Sequence, residues 1–154
     1  MSLERALDRS IQERNKIPIQ KSSGKGRTDP SKKLPLHLQT GKYGEEKAAE
    51  YLTQIGYRII AKNVSCRHGE IDIIANDGDE IVFVEVRTRS FGWVMPPEFT
   101  VGPEKIKKLK RAARIWTESR KYIGFWRIDL IAITIKEGSG PSIEHIKDIT
   151  EGIL

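Results

Sequence analysis

Apolar positions along this chain fall into two rhythms. Ala48, Leu52 and Ile55 repeat at helical spacing between Gly44 and Ile55, and Gly56 stands where such a helix would end. Ile106, Leu109, Ala113 and Trp116 make a second helical stripe that opens at Pro103, a residue suited to the first helical position. Between the two, the rhythm shortens to that of strands over Tyr57–Val64, Glu70–Ala75 and Glu80–Thr88. Asn76-Asp77-Gly78-Asp79 joins the last two and is a strong hairpin signal. Arg127–Ile135 alternates like a further strand, and Ser142–Ile149 adds a weaker one. The expected order is α-β-β-β-α-β with a final strand, an α/β fold.

The first forty residues read differently. Leu3, Leu7 and Ile11 suit a short amphipathic helix over residues 2–14, and from Lys16 to Thr40 the chain is polar, basic and rich in helix breakers. This predicts a helix and disordered linker over residues 1–40, then one domain over 41–154. The net charge of +6 divides accordingly. Residues 1–40 hold nine Lys/Arg against four Asp/Glu, or +5, leaving eighteen against seventeen, or +1, for residues 41–154. Affinity for a polyanion must then come from the tail or from a local patch. One patch stands out: between Glu104 and Lys121 there are eight Lys/Arg against Glu104 and Glu118. Apolar runs are too short to span a membrane, the N-terminus carries charges where a secretion signal would be apolar, and Cys66 has no partner. A cytoplasmic protein is expected.

Candidate chemistry lies in two strands. Ile81-Val82-Phe83-Val84-Glu85-Val86 is nearly continuous apolar sequence, the pattern of a strand covered on both faces. Alternation puts Ile81, Phe83, Glu85 and Arg87 on one side of it; in the preceding strand Glu70, Asp72 and Ile74 share a side, opposite Ile71 and Ile73. An ionised carboxylate in such a strand is costly unless it is paired or binds a metal. Asp72 and Glu85 on paired strands suit Mg²⁺ or Mn²⁺, which take one or two carboxylates with phosphate oxygens and water. Arg87 cannot serve as a base, so its place would be on a phosphate or on transition-state charge. The same residues also suit a structural ion pair of Asp72 or Glu85 with Arg87 or Arg89.

Asp72 followed thirteen positions later by Glu85-Val86-Arg87 resembles the PD-(D/E)XK signature of restriction-endonuclease-like nucleases. More closely, Gly41-Lys42-Tyr43-Gly44-Glu45, Gly56-Tyr57, Asn63, Gly69-Glu70-Ile71-Asp72-Ile73-Ile74-Ala75 and Val82-Phe83-Val84-Glu85-Val86-Arg87-Thr88-Arg89 resemble the YraN-like family, an uncharacterised bacterial family predicted to be nuclease-like. The resemblance runs from about Gly41 to Asp129. It implies a restriction-endonuclease-like mixed sheet flanked by helices, similar to archaeal Holliday junction resolvases. It also implies Glu45, four residues after Gly41, as a further member of the site. Two positions depart from the signature: Ile71 stands where it has proline, and Arg87 where it has lysine.

The expectation is therefore an endonuclease that hydrolyses DNA, branched or single-stranded, with DNA favoured over RNA. Asp72, Glu85 and the Val86 carbonyl would hold the metal, with Arg87 and Glu45 beside them. Lys105, Lys108, Arg111 and Arg89 would hold the backbone, Lys105 at the favourable N-terminus of its helix. Glu70 belongs to the site or starts its strand in solvent; His68 approaches a phosphate or is an exposed turn residue. Glu45 also suits a first helical turn on dipole grounds alone. Phe91, Trp93 and Phe99 would stack on bases or plug the core. Cys66 and His68 lack a second ligand pair for zinc, and His37 and His145 have no evident partner. The rival reading is a non-catalytic nucleic-acid-binding or adaptor protein on the same fold. A homodimer is implied only by analogy with the resolvases.

Overall fold

The computed structural model describes residues 36–90, 92 and 101–150. The expected helix over 2–14, most of the linker, and Phe91, Trp93 and Phe99 lie outside the described residues. Among the described residues two helices, α1 (Leu36–Gln54) and α2 (Pro103–Ser119), accompany five strands: β1 (Arg58–Cys66), β2 (Gly69–Asp77), β3 (Glu80–Ser90), β4 (Trp126–Ile135) and β5 (Ser142–Ile146). The strands lie in sequence order in one mixed sheet, antiparallel throughout except for the parallel β3–β4 pair that α2 connects. The α-β-β-β-α-β order, the α/β class and the final strand are those the sequence leads one to expect.

α1 already includes Leu36–Thr40, which the sequence assigns to the linker. The helix runs on through Gly41, since a glycine lowers helix stability by about 1 kcal/mol without ending a helix. Among the described residues no helix is long and apolar enough to cross a membrane.

Each face of the sheet carries one helix. Ala48 and Leu52 of α1 pack with Ile73, Val82, Val84 and Ile131. Ile106, Leu109, Ala113 and Trp116 of α2 pack on the other face with Ile74, Phe83, Ile128 and Leu130. Phe83 meets Trp116 and Trp126 edge-on, each at 5.6 Å between ring centres. β3 and β4 are therefore covered on both sides, which accounts for their nearly unbroken apolar sequence.

One close approach sets the position of α1. A methyl group added to Gly44 would stand 1.8 Å from Thr88 Oγ1, so the helix backbone sits against β3 where no side chain fits. Gly44→Ala is expected to cost about 1–3 kcal/mol, as overpacking does. Urea unfolding would measure it, and Thr88→Ala on the same background should recover most of the loss.

Candidate active site

The β2–β3 hairpin turns on Gly78-Asp79, with φ +61° at Gly78, and pairs Asp77 with Glu80. Pairing then runs inward to Ile73 opposite Val84. Counting on, Asp72 falls opposite Glu85, and the next hydrogen-bonded pair falls at Ile71 and Val86. The ladder stops short of that point. The Val86 N–H instead donates to Asp72 Oδ2 at 2.7 Å. Ile71 joins Ile74 in the layer under α2, while Ile73 faces α1. The expected placing of Ile71 and Ile73 on one side is thus corrected: strict alternation assumes an unbroken ladder, and the β2–β3 ladder ends at Ile73 and Val84. The strands part there, and an open cleft of about 660 Å³ is lined by Gly41 and Glu45 of α1, Asp72 of β2, and Glu85, Val86 and Arg87 of β3.

Glu85 is only 4% exposed. Arg87 Nη2 lies 3.1 Å from its Oε1, and Lys105 Nζ, from the first turn of α2, lies 3.2 Å from its Oε2. Oε2 nonetheless has no hydrogen-bonding partner among the described residues; Lys105 is at ion-pair distance but off-angle. Burial, then the neighbouring Asp72, pushes the Glu85 carboxyl above the usual range, although Lys105 and Arg87 oppose this. Burial likewise raises Asp72 against the pull of the Val86 N–H. Glu45 is raised by burial and by Asp72, and is restrained by a hydrogen bond from Asn63. Asn63 holds φ +51°, a conformation asparagine tolerates better than most residues.

These shifts have a sign. A carboxyl raised in the folded state binds its proton more readily there than in the unfolded chain, so stability falls as pH rises through the raised value. Asp72→Asn keeps an acceptor for the Val86 N–H and removes the charge. It is expected to stabilise the protein at pH 7 by about 0.5–2 kcal/mol, the range common to single stabilising substitutions. The gain should vanish in mild acid, and thermal unfolding against pH would show whether it does.

The residues expected from sequence divide between two places. Asp72, Glu85, Val86, Arg87, Glu45 and Lys105 gather at the cleft. Lys108 and Arg111 line a separate groove with Arg67 and His68. Arg89 is turned to β4, where its Nε donates to Thr134 Oγ1 at 2.9 Å. Glu70 is exposed at the start of β2 and acts on Asp72 and Glu45 only through its charge. Among the described residues no three His, Cys, Asp or Glu side chains group closely enough to hold a metal. The donor set is thus two carboxylates, one with a buried oxygen that Lys105 approaches only as an ion pair, which fits a Mg²⁺-type ion that draws its other ligands from phosphate and water.

His145, without a partner in the sequence reading, has one. Its Nε2 lies 2.8 Å from Asp129 Oδ2, and Asp129 also accepts from Arg127 Nε and the Asp148 N–H, each at 2.9 Å. The only local signal was Arg127-Ile128-Asp129, two opposite charges on one side of a strand.

A model of the uncharacterised protein family UPF0102 matches residues 44–133. A UPF0102 protein of Syntrophus aciditrophicus is 42% identical over 120 residues, covering 77% of this chain and 94% of that one. One from Geobacter sulfurreducens is 43% identical over 112 residues, covering 72% and 88%. Another, from Streptomyces griseus, is 40% identical over 112 residues, covering 71% and 94%. Among solved structures, an EndoMS–dsDNA2 complex is 20% identical at a TM-score of 0.37, covering 66% of this chain and 38% of that chain. At that score the likeness carries no argument.

Proposed function

The chain belongs to the UPF0102 family, the YraN-like family its motifs resemble, and from that premise and the cleft we propose that it is a metal-dependent endonuclease hydrolysing phosphodiester bonds in DNA. One observation supports this above the rest: Asp72 and Glu85 meet, half-buried and buried, where β2 and β3 part, and both are uneasy as anions. A protein gains nothing in stability from two such groups side by side. A divalent cation would relieve both.

Asp72 and Glu85 would hold Mg²⁺ or Mn²⁺, with the Val86 carbonyl beside them. Such an ion, when bound, lowers the pKa of water and offsets charge on a phosphate. The remaining work belongs to the chain. Arg87, with 42% of its side chain exposed, would hold the scissile phosphate and stabilise the charge that builds on it. Hydrolysis must also move a proton from the attacking water and supply one to the leaving oxygen. A guanidinium does neither. Lys105 brings an amine to Glu85 and would stand in for the signature's lysine, whose position Arg87 holds. Glu45 takes up a proton more readily than an ordinary glutamate.

The test is incubation with single-stranded, duplex, flapped and four-way-junction DNA in Mg²⁺, Mn²⁺ or EDTA. Metal-dependent cutting of any of these supports the reading, and binding without cutting on all of them overturns it. A second reading, a non-catalytic nucleic-acid-binding protein, is favoured by one observation: Glu85 is already flanked by Arg87 and Lys105. It predicts that binding is indifferent to Mg²⁺ and to Asp72→Ala.

A further inference from the structure

Arg67 and His68 form the turn between β1 and β2, and Arg67 has no part in the cleft. They face Lys107, Lys108, Arg111 and Arg114 of α2 across an open groove of about 690 Å³. Lys110 adds a further cation; the one acid among the described lining residues, Glu104, lies 3.4 Å from Lys107. A solvated helix face ordinarily mixes charges of both signs. Here one sign dominates, and it converges from two separate elements, a hairpin turn and a helix.

We propose that this groove seats the phosphate backbone of a duplex DNA arm, apart from the cleft that would cut it. Charge of a single sign suits a polyanion, whose binding releases counterions. The described lining contains no Phe, Tyr or Trp, so it offers none of the aromatic platforms on which single-strand binders stack unpaired bases. The groove therefore reads backbone rather than bases. Both depressions use the start of α2, for Lys105 stands at Glu85 while Lys107 and Lys108 line the groove. What the arm leads to rests on the nuclease reading; the binding itself does not.

The experiment measures binding of a fluorescent duplex, and of a single strand of equal length, by anisotropy in EDTA over a NaCl series. Wild type is compared with Arg67→Ala/Lys108→Ala/Arg111→Ala, whose three positions are exposed, and with Arg67→Lys as a charge-keeping control. Every phosphate left without its cation lowers the salt slope by about 0.9, so the triple variant should fall short by about 2.7 on duplex, with Arg67→Lys close to wild type. An unchanged slope overturns the proposal, as does a decrease confined to the single strand. If the slope falls although no DNA is ever cut, the groove stands and only the nuclease reading fails.

Discussion

Replacing Glu85 by alanine is expected to lower metal-dependent DNA cleavage at least about 10²-fold, the least that removing a main electrostatic group from a reaction centre costs. The expectation follows from where the charge sits. Glu85 is buried at the mouth of the β2–β3 opening, held by Arg87 on one oxygen and approached by Lys105 on the other. Without it, Asp72 is left as the one carboxylate between the parted strands, and a cation that needs both has half its carboxylate ligands. Thermal unfolding supplies a readout that needs no cutting. Mn²⁺ should raise the wild-type midpoint, because a ligand that binds only the folded state stabilises it, and should leave Glu85→Ala unmoved. A variant that cuts as wild type, or shifts equally with Mn²⁺, would sink the assignment. Lys105→Arg sharpens the question: it preserves the charge beside Glu85 and replaces a compact ammonium by a guanidinium fork. Cleavage should then fall while duplex binding in EDTA persists.

The largest expected loss of stability lies away from the cleft. Asp129 is fully buried and accepts from His145, Arg127 and the Asp148 N–H. Arg127 in turn donates to Tyr57 and Asp77, each at 2.8 Å, and pairs with Glu80, so one guanidinium ties the β2–β3 turn to β4 and the start of β1. Asp129→Ala leaves buried partners uncompensated and should cost about 3–5 kcal/mol, read from the urea midpoint. Its pH dependence has the opposite sign to that of Asp72. Burial opposes ionisation of Asp129, but its three donors prevail and hold the carboxyl below the usual range. Its stabilisation is complete above the ordinary aspartate value of about 3.9 and is lost as pH falls through the lower folded value. The variant should therefore lose that part of the acid-unfolding limb. A cost under about 1 kcal/mol, with an unchanged acid limb, would show that the network contributes little.

What the chain disclosed by itself was whatever rests on local periodicity and counting. The inner stripe of α2 is buried as its spacing predicts, and β3 is covered on both faces as its apolar run predicts. The meeting of Asp72 and Glu85 was also countable. A two-residue turn at Gly78-Asp79 pairs Asp77 with Glu80, and antiparallel register then carries each strand inward by equal steps. Family motifs added Glu45, and the fold sets it on the cleft wall because Gly44 lets α1 lie against Thr88. The remainder was decided by contacts between residues far apart in sequence. The sequence marks Lys105 as a phosphate-backbone cation at the start of its helix, and only the seating of α2 on the sheet brings it 3.2 Å from Glu85 rather than into the groove with Lys108 and Arg111. Arg67 carries no signal until a hairpin turn is placed opposite that helix. His145 finds Asp129 only when β5 pairs with β4. The end of the β2–β3 ladder before Asp72 was invisible because period two describes a strand whose ladder continues, whereas here a side chain takes the N–H that the ladder would have used. Local sterics and hydrogen-bond spacing are properties of a few consecutive residues; which charged groups share a cleft depends on packing that every element of the fold sets together.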